Sequence, residues 1–238
     1  MMNYSAAILV VLFAFLENGV VGEELSDYLW KQTAKYHQEA LVSNYIQGIR
    51  AVSLDPTEFG AYNVQDAVYV YWFKESIDIA AVRTTDTALK QFLQNKSKSH
   101  DVEYKKAFKA WHINDPNGIH LGSACQNYVN HLVDVAMTMD GNYLVTALIP
   151  CARLWPWLGQ QIGADSGKFG IYNKWVQENL NPSYTGYTTY EQVINEAFAN
   201  GTITKEKALQ VYGESMMGEV AFFNSVSKTI RQGLHEEL

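Results

Sequence analysis

Two cysteines in 238 residues are too few for a disulfide scaffold, and at most one bridge, Cys125–Cys151, can form. Metal-binding spacings are scarce too. The six histidines are scattered, with no HExxH, paired ExxH or CxxC, so no metal or haem ligand set is read and no cofactor is expected. His131, on an apolar face, reads as a structural histidine. A GxSxG elbow for a serine triad is missing, as are a glycine-rich phosphate loop and any internal repeat. Basic residues number 18 against 25 acidic ones, a net charge of −7 without a basic patch, which argues against a nucleic-acid partner. Strand-period alternation is absent. Beyond the N-terminus no run is long and apolar enough for a membrane helix.

Aromatic residues are plentiful: 15 Tyr, 10 Phe and 6 Trp, within an ordinary 47% hydrophobic and 18% charged composition. They suit an aromatic-lined interior or a conventional core. The length suits one domain. Residues 1–22 read as a secretory leader, because Ala6 to Leu16 is an apolar core of signal-peptide length followed by Val20-Val21-Gly22, although no Lys or Arg precedes it. Residues 23–238 would then form a secreted domain with no membrane attachment after cleavage. Two sequons, at Asn95 and Asn200, fit that route, and both lie in polar, turn-like stretches.

Helical periodicity runs through the rest. It predicts a helix over about 24–45, and a second from Pro56 to about Ala81 capped by Asp55. Shorter pieces follow at about 85–93 and 102–111, separated by the Asn95 loop. Further helices cover the Cys125 and Cys151 segments, the Tyr172 to Asn179 region, 189–199 and 205–233. The fold class is therefore all-α. In the second helix Tyr62, Asp66, Tyr69 and Phe73 recur at helical spacing, which puts an aspartate on an apolar face, costly to bury without a partner. The stretch ALIPCARLWPWLGQQIG, Ala147 to Gly163, carries Pro150 and Pro156 inside a helical pattern. Each proline removes an N–H and disturbs the carbonyl four residues earlier, those of Thr146 and Ala152. Leu148, Cys151 and Trp155 share one face. This describes either a buried core cysteine or a thiol on the floor of a pocket. Glu219, beside Phe222 and Phe223, completes a set of one thiol, two carboxylates and several aromatic rings. That set suits nucleophilic attack on a flat heterocycle. It is equally readable as a buried polar pair tying helices together.

Four stretches carry a family resemblance across nearly the whole chain after the leader. LDPTEFGAYNVQDAVYVYWF, YVNHL, ALIPC and GEVAFF resemble, in order, motifs of the TenA/thiaminase II family, whose fold is that of haem oxygenase. The resemblance implies a haem-oxygenase-like helical bundle and a small-molecule aminopyrimidine or thiamine-related ligand. It puts catalytic roles on Cys151 and Glu219, and substrate-binding roles on Asp66, Tyr69 and Tyr128, with Trp155 and Asn179 as further substrate-binding positions. Members are often tetramers, so a homo-oligomer is expected by analogy. The chain departs from the family at Trp155 and Asn179, where tyrosines are usual, and in carrying a leader. The implied activity is hydrolysis at the pyrimidine methylene through the cysteine. The alternatives are a secreted protein that binds a flat heterocycle without turnover, and an interaction protein that reuses the fold.

Overall fold

A computed structural model describes residues 22–225. Of the expected leader, residues 1–22, all but Gly22 lies outside these residues, as does the end of the chain from 226 onward. Ten α-helices make one domain, with no strand among the described residues. They are α1 (Leu25–Gln32), α2 (Ala34–Leu41), α3 (Asn44–Arg50), α4 (Pro56–Arg83), α5 (Thr87–Ala110), α6 (Ser123–Thr138), α7 (Gly141–Ile162), α8 (Asn173–Asn179), α9 (Thr188–Ala199) and α10 (Lys205–Phe223). Helix α4 packs on α5 and α6, while α10 packs on α6 and α7, and α9 covers α7. No described helix is long and apolar enough to cross a membrane.

The long helices begin where the sequence supplies caps. The Asp55 carboxylate accepts from Thr57 N at 2.7 Å, Asp86 from Ala88 N at 2.8 Å, and Asp140 from Asn142 N at 2.9 Å. Each such cap is worth about 1 kcal/mol. Helix α7 runs unbroken through Pro150 and Pro156, and Ala152, whose carbonyl loses its donor to Pro156, lies in a cavity wall. The end of α8 comes hard against α7 at Gly159, where a Cβ would sit 1.9 Å from the Leu180 carbonyl oxygen. Only glycine permits that approach, which brings α8 to the cavity.

Three expectations are corrected. The N-terminal stretch is three short helices: Thr33, whose Oγ1 donates to the Leu29 and Trp30 carbonyls, separates the first two, and Ser43, whose Oγ accepts from Ile46 N, caps the third. Helix α5 is continuous, so Asn95 is an exposed mid-helix residue rather than part of a loop. The reason is an unbroken inward stripe (Leu89, Leu93, Ser97, His100, Tyr104 and Phe108) in which Ser97 Oγ donates to Asp78 of α4 at 2.6 Å. Asn200 does sit in an exposed turn, after α9. Helix α10 stops at Phe223, followed by Asn224, whose amide donates to the Val220 carbonyl. The expected extension from 226 to Gly233 falls outside the described residues.

Candidate functional site

A cavity of about 540 Å³ opens between α4, α5, α7, α8 and α9. Its inner wall holds Asp66 from α4 with Cys151 and Trp155 from α7. Trp175 and Asn179 of α8 form the flank. Glu219 lies beneath this wall, 2% exposed. Its Oε1 accepts from the Tyr128 hydroxyl at 2.9 Å and its Oε2 from the Trp155 indole N–H at 3.1 Å, while the Cys151 thiol approaches the same carboxylate. Tyr69 packs behind on Tyr128, the rings tilted 33° with centroids 4.7 Å apart.

The electrostatics follow from burial. Desolvation lifts the Glu219 carboxyl to about 7, although its three donors favour the charged form. Asp66 has no donor to its carboxylate among the described residues. Burial, and then the charge on Glu219, lift it to about 7 as well. The Cys151 thiol is pushed well above its ordinary range, first by burial and then by Glu219 and Asp66. At rest it is a thiol. The fully buried Tyr62 hydroxyl, close enough to feel the Asp66 charge, has no hydrogen-bond partner among the described residues. An orphaned hydroxyl beside a donorless carboxylate costs stability, about 1–3 kcal/mol for the hydroxyl alone. Such costs concentrate where a ligand binds.

The sequence model of the TENA/THI-4/PQQC family matches residues 30–228. The chain belongs to that family. Solved structures agree on the fold. A TenA homologue from Pyrococcus horikoshii is 14% identical at a TM-score of 0.72, covering 86% of this chain and 98% of its own. A candidate TenA-like thiaminase from Sulfolobus solfataricus is 20% identical at 0.66, covering 86% and 96%. Haem oxygenase-1 from the cyanobacterium Synechocystis, in complex with haem, is 14% identical at 0.55, covering 90% and 99%. No curated protein matches the sequence.

Against the TENA/THI-4/PQQC expectations, Asp66, Cys151, Trp155 and Asn179 reach the cavity wall. Tyr69 and Tyr128 do not line it; 3% and 2% exposed, they form the layer behind Glu219. The physical reason for Tyr128 is Gly218, next to Glu219 on α10, where a Cβ would lie 2.6 Å from Tyr128 Cγ. The ring occupies the space a side chain would fill. Gly218→Ala should therefore cost about 1–3 kcal/mol and displace the hydroxyl from Glu219. Gly213→Ala on the same helix meets nothing within 4 Å, and should be neutral or stabilise by about 0.5–1 kcal/mol. Denaturation of the two variants side by side checks this contrast.

The departure at Trp155 is partly repaired, because the indole N–H takes up the bond to Glu219. Being donor-only, it cannot pass a proton onward. Asn179 ties its amide nitrogen to the Trp175 carbonyl at 2.9 Å. Both thiols are free. Cys125 turns into the α4–α6 interface, its Sγ 3.7 Å from the Gln65 carbonyl. His131 bonds Ser215 at 3.0 Å and Glu214 at 3.2 Å, an α6–α10 tie in keeping with a structural histidine. No described cluster of three or more His, Cys, Asp and Glu could hold a metal.

Sequence reasoning missed the outer wall. His100, Glu103 and Lys106 of α5 face Tyr190 of α9 and Tyr184 of the preceding loop across the mouth. The inward stripe of α5 was the signal for His100, and it disappears once α5 is cut at the sequon.

Proposed function

We propose that the protein is a thiaminase II-like hydrolase that cleaves the substituent from the methylene of a 4-aminopyrimidine, thiamine or one of its breakdown products, with Cys151 as nucleophile. The observation that carries this reading is the contact of one thiol, one indole N–H and one phenol with a single buried carboxylate, beside a second carboxylate open to the cavity. Asp66 accepts the amino group and a ring N–H of the pyrimidine. Glu219 takes the thiol proton as the sulfur adds to the ring, and returns it when the sulfur leaves. Trp155 and Trp175, centroids 5.7 Å apart, wall the ring. The substituent departs toward the mouth and water replaces it. Family membership and the solved TenA-like neighbours support the substrate class. A secretory setting is proposed from the leader alone.

A second reading, a binding protein without turnover, is favoured by one observation. The thiol faces two carboxylates, and neither can serve as the positive partner that would favour a thiolate.

Calorimetry with 4-amino-2-methylpyrimidine and thiamine tests the ligand class common to both readings. Asp66→Asn is expected to weaken binding by about 1.5–3 kcal/mol, the value of a charge-assisted hydrogen bond. Failure of both compounds to bind the wild type would refute the ligand class.

A further inference from the structure

We propose that Glu103, His100 and Tyr190 form a proton relay at the mouth of the cavity that protonates an amine leaving group, a second acid–base site separate from Glu219. This rests on the hydrolytic reading above.

The relay spans two helices. His100 Nδ1 lies 2.5 Å from Glu103 Oε2 on α5, and its Nε2 lies 3.1 Å from the Tyr190 hydroxyl on α9. Phe73 packs on the imidazole at 4.7 Å between centroids and fixes its plane. Tyr190 is held on its other side by Lys96, whose Nζ lies 4.1 Å from the ring centroid and donates to Thr189 Oγ1 at 2.8 Å. All three relay residues line the cavity that Cys151 and Asp66 also line. The Glu103 side chain is 59% exposed and that of His100 18%, while Tyr190 is 3% exposed. The chain of contacts thus leads from solvent to a buried hydroxyl in the wall.

Chemistry supplies the need. Glu219 is engaged on the sulfur side, where Trp155 cannot relay a proton past it. An amine cannot depart with its electron pair unless its nitrogen gains a proton. In the step assigned here the methylene C–N bond breaks, the pair goes to nitrogen, and nitrogen takes the Tyr190 proton. Tyr190 recovers one from Nε2 of the His100 imidazolium, whose Nδ1–H stays on Glu103. Water then adds at the methylene, its proton leaves through the open mouth, and His100 regains one there. A neutral amine and water have become an alcohol and ammonia. The geometry has the form of an acid–His–hydroxyl chain, with the phenol as the donor that reaches the reacting group. Glu103, acting through His100, is a positioning residue.

Leaving groups provide the test. Two substrates share one pyrimidine: one carries an amine on the methylene, and the other is thiamine, whose ring nitrogen departs as a neutral thiazole and needs no proton. Single-turnover release from each is followed in the full chain bearing His100→Gln or Tyr190→Phe. Amine release is expected to fall about 10²-fold or more, and at least about tenfold further than thiazole release. Glu103→Gln should show the same bias with a smaller loss. Pyrimidine binding, measured by calorimetry on each variant, reports that the inner wall is intact. Equal losses on both substrates, or undiminished amine release, would overturn the relay and leave the hydrolysis standing. A wild type that cleaves neither substrate would overturn both.

Discussion

Cys151→Ser is expected to lower turnover of thiamine or an aminomethylpyrimidine by more than about 10³-fold, with pyrimidine affinity changed less than about threefold. A hydroxyl at this position keeps the volume and the contact with Glu219 but loses the nucleophile. A carboxylate poised near 7 can take a proton from a thiol far more readily than from an alcohol. Losses of this order are ordinary when a covalent nucleophile is removed. The elevated thiol makes the expectation specific: free Cys151 should alkylate slowly, and it should ionise only once a bound pyrimidine neutralises or shields Asp66. Mass spectrometry of a quenched reaction should find a pyrimidine adduct on the wild type and none on the variant. If wild type and Cys151→Ser are equally inert yet bind equally well, the hydrolase reading fails and the binding protein takes its place.

The periodic pattern was enough to read the helical class, the caps of α4 and the face that joins Asp66 to Tyr69 and Phe73. Helix α7 was legible despite two prolines, because its apolar face continues through both. What the pattern could not show was depth. Tyr69 and Tyr128 occupy faces that point inward, yet whether an inward tyrosine meets ligand or protein depends on what the opposing helix lacks. Here α10 lacks a side chain at Gly218, 90 residues away in sequence. The relay stayed hidden for a different reason. Asn95-Lys96-Ser97 has the composition of a loop, but Lys96 packs on Tyr190 and Ser97 reaches Asp78, so tertiary contacts carry the helix across it. Similarly, the sequence shows an indole where the family usually has a phenol, but only the position of Glu219 shows that its N–H has an acceptor. Motif spacing locates residues along helices. The closeness of Cys151, Trp155 and Tyr128 to one carboxylate is a property of three helices at once.

Glu219→Gln should lower turnover about 10²–10⁴-fold and move the acid limb of activity from near pH 7 to lower pH, where Asp66 alone carries it. Glu219 and Asp66 both titrate near 7, and the charge of one opposes that of the other, so the limb belongs to the pair. Below it the pair is protonated, no base faces the thiol, and both hydrolysis and alkylation of Cys151 slow as the pH falls. The same shift bears on stability with a definite sign. A carboxyl raised from 4.5 unfolded to about 7 folded binds more protons when folded, so stability declines as pH rises from about 4.5 through 7, and the penalty is complete above that. Glutamine carries no such penalty. Its carbonyl can still accept from the Trp155 N–H or the Tyr128 O–H, although its amide adds a buried donor. The variant should therefore gain on the wild type in denaturation midpoint between pH 5 and pH 8, by roughly 1–3 kcal/mol in stability, while its activity is nearly lost at both. A wild-type stability that is flat across that range would show that the carboxylate is ionised throughout. The thiol would then have its base at every pH, and the loss in Glu219→Gln would have to be read as positional.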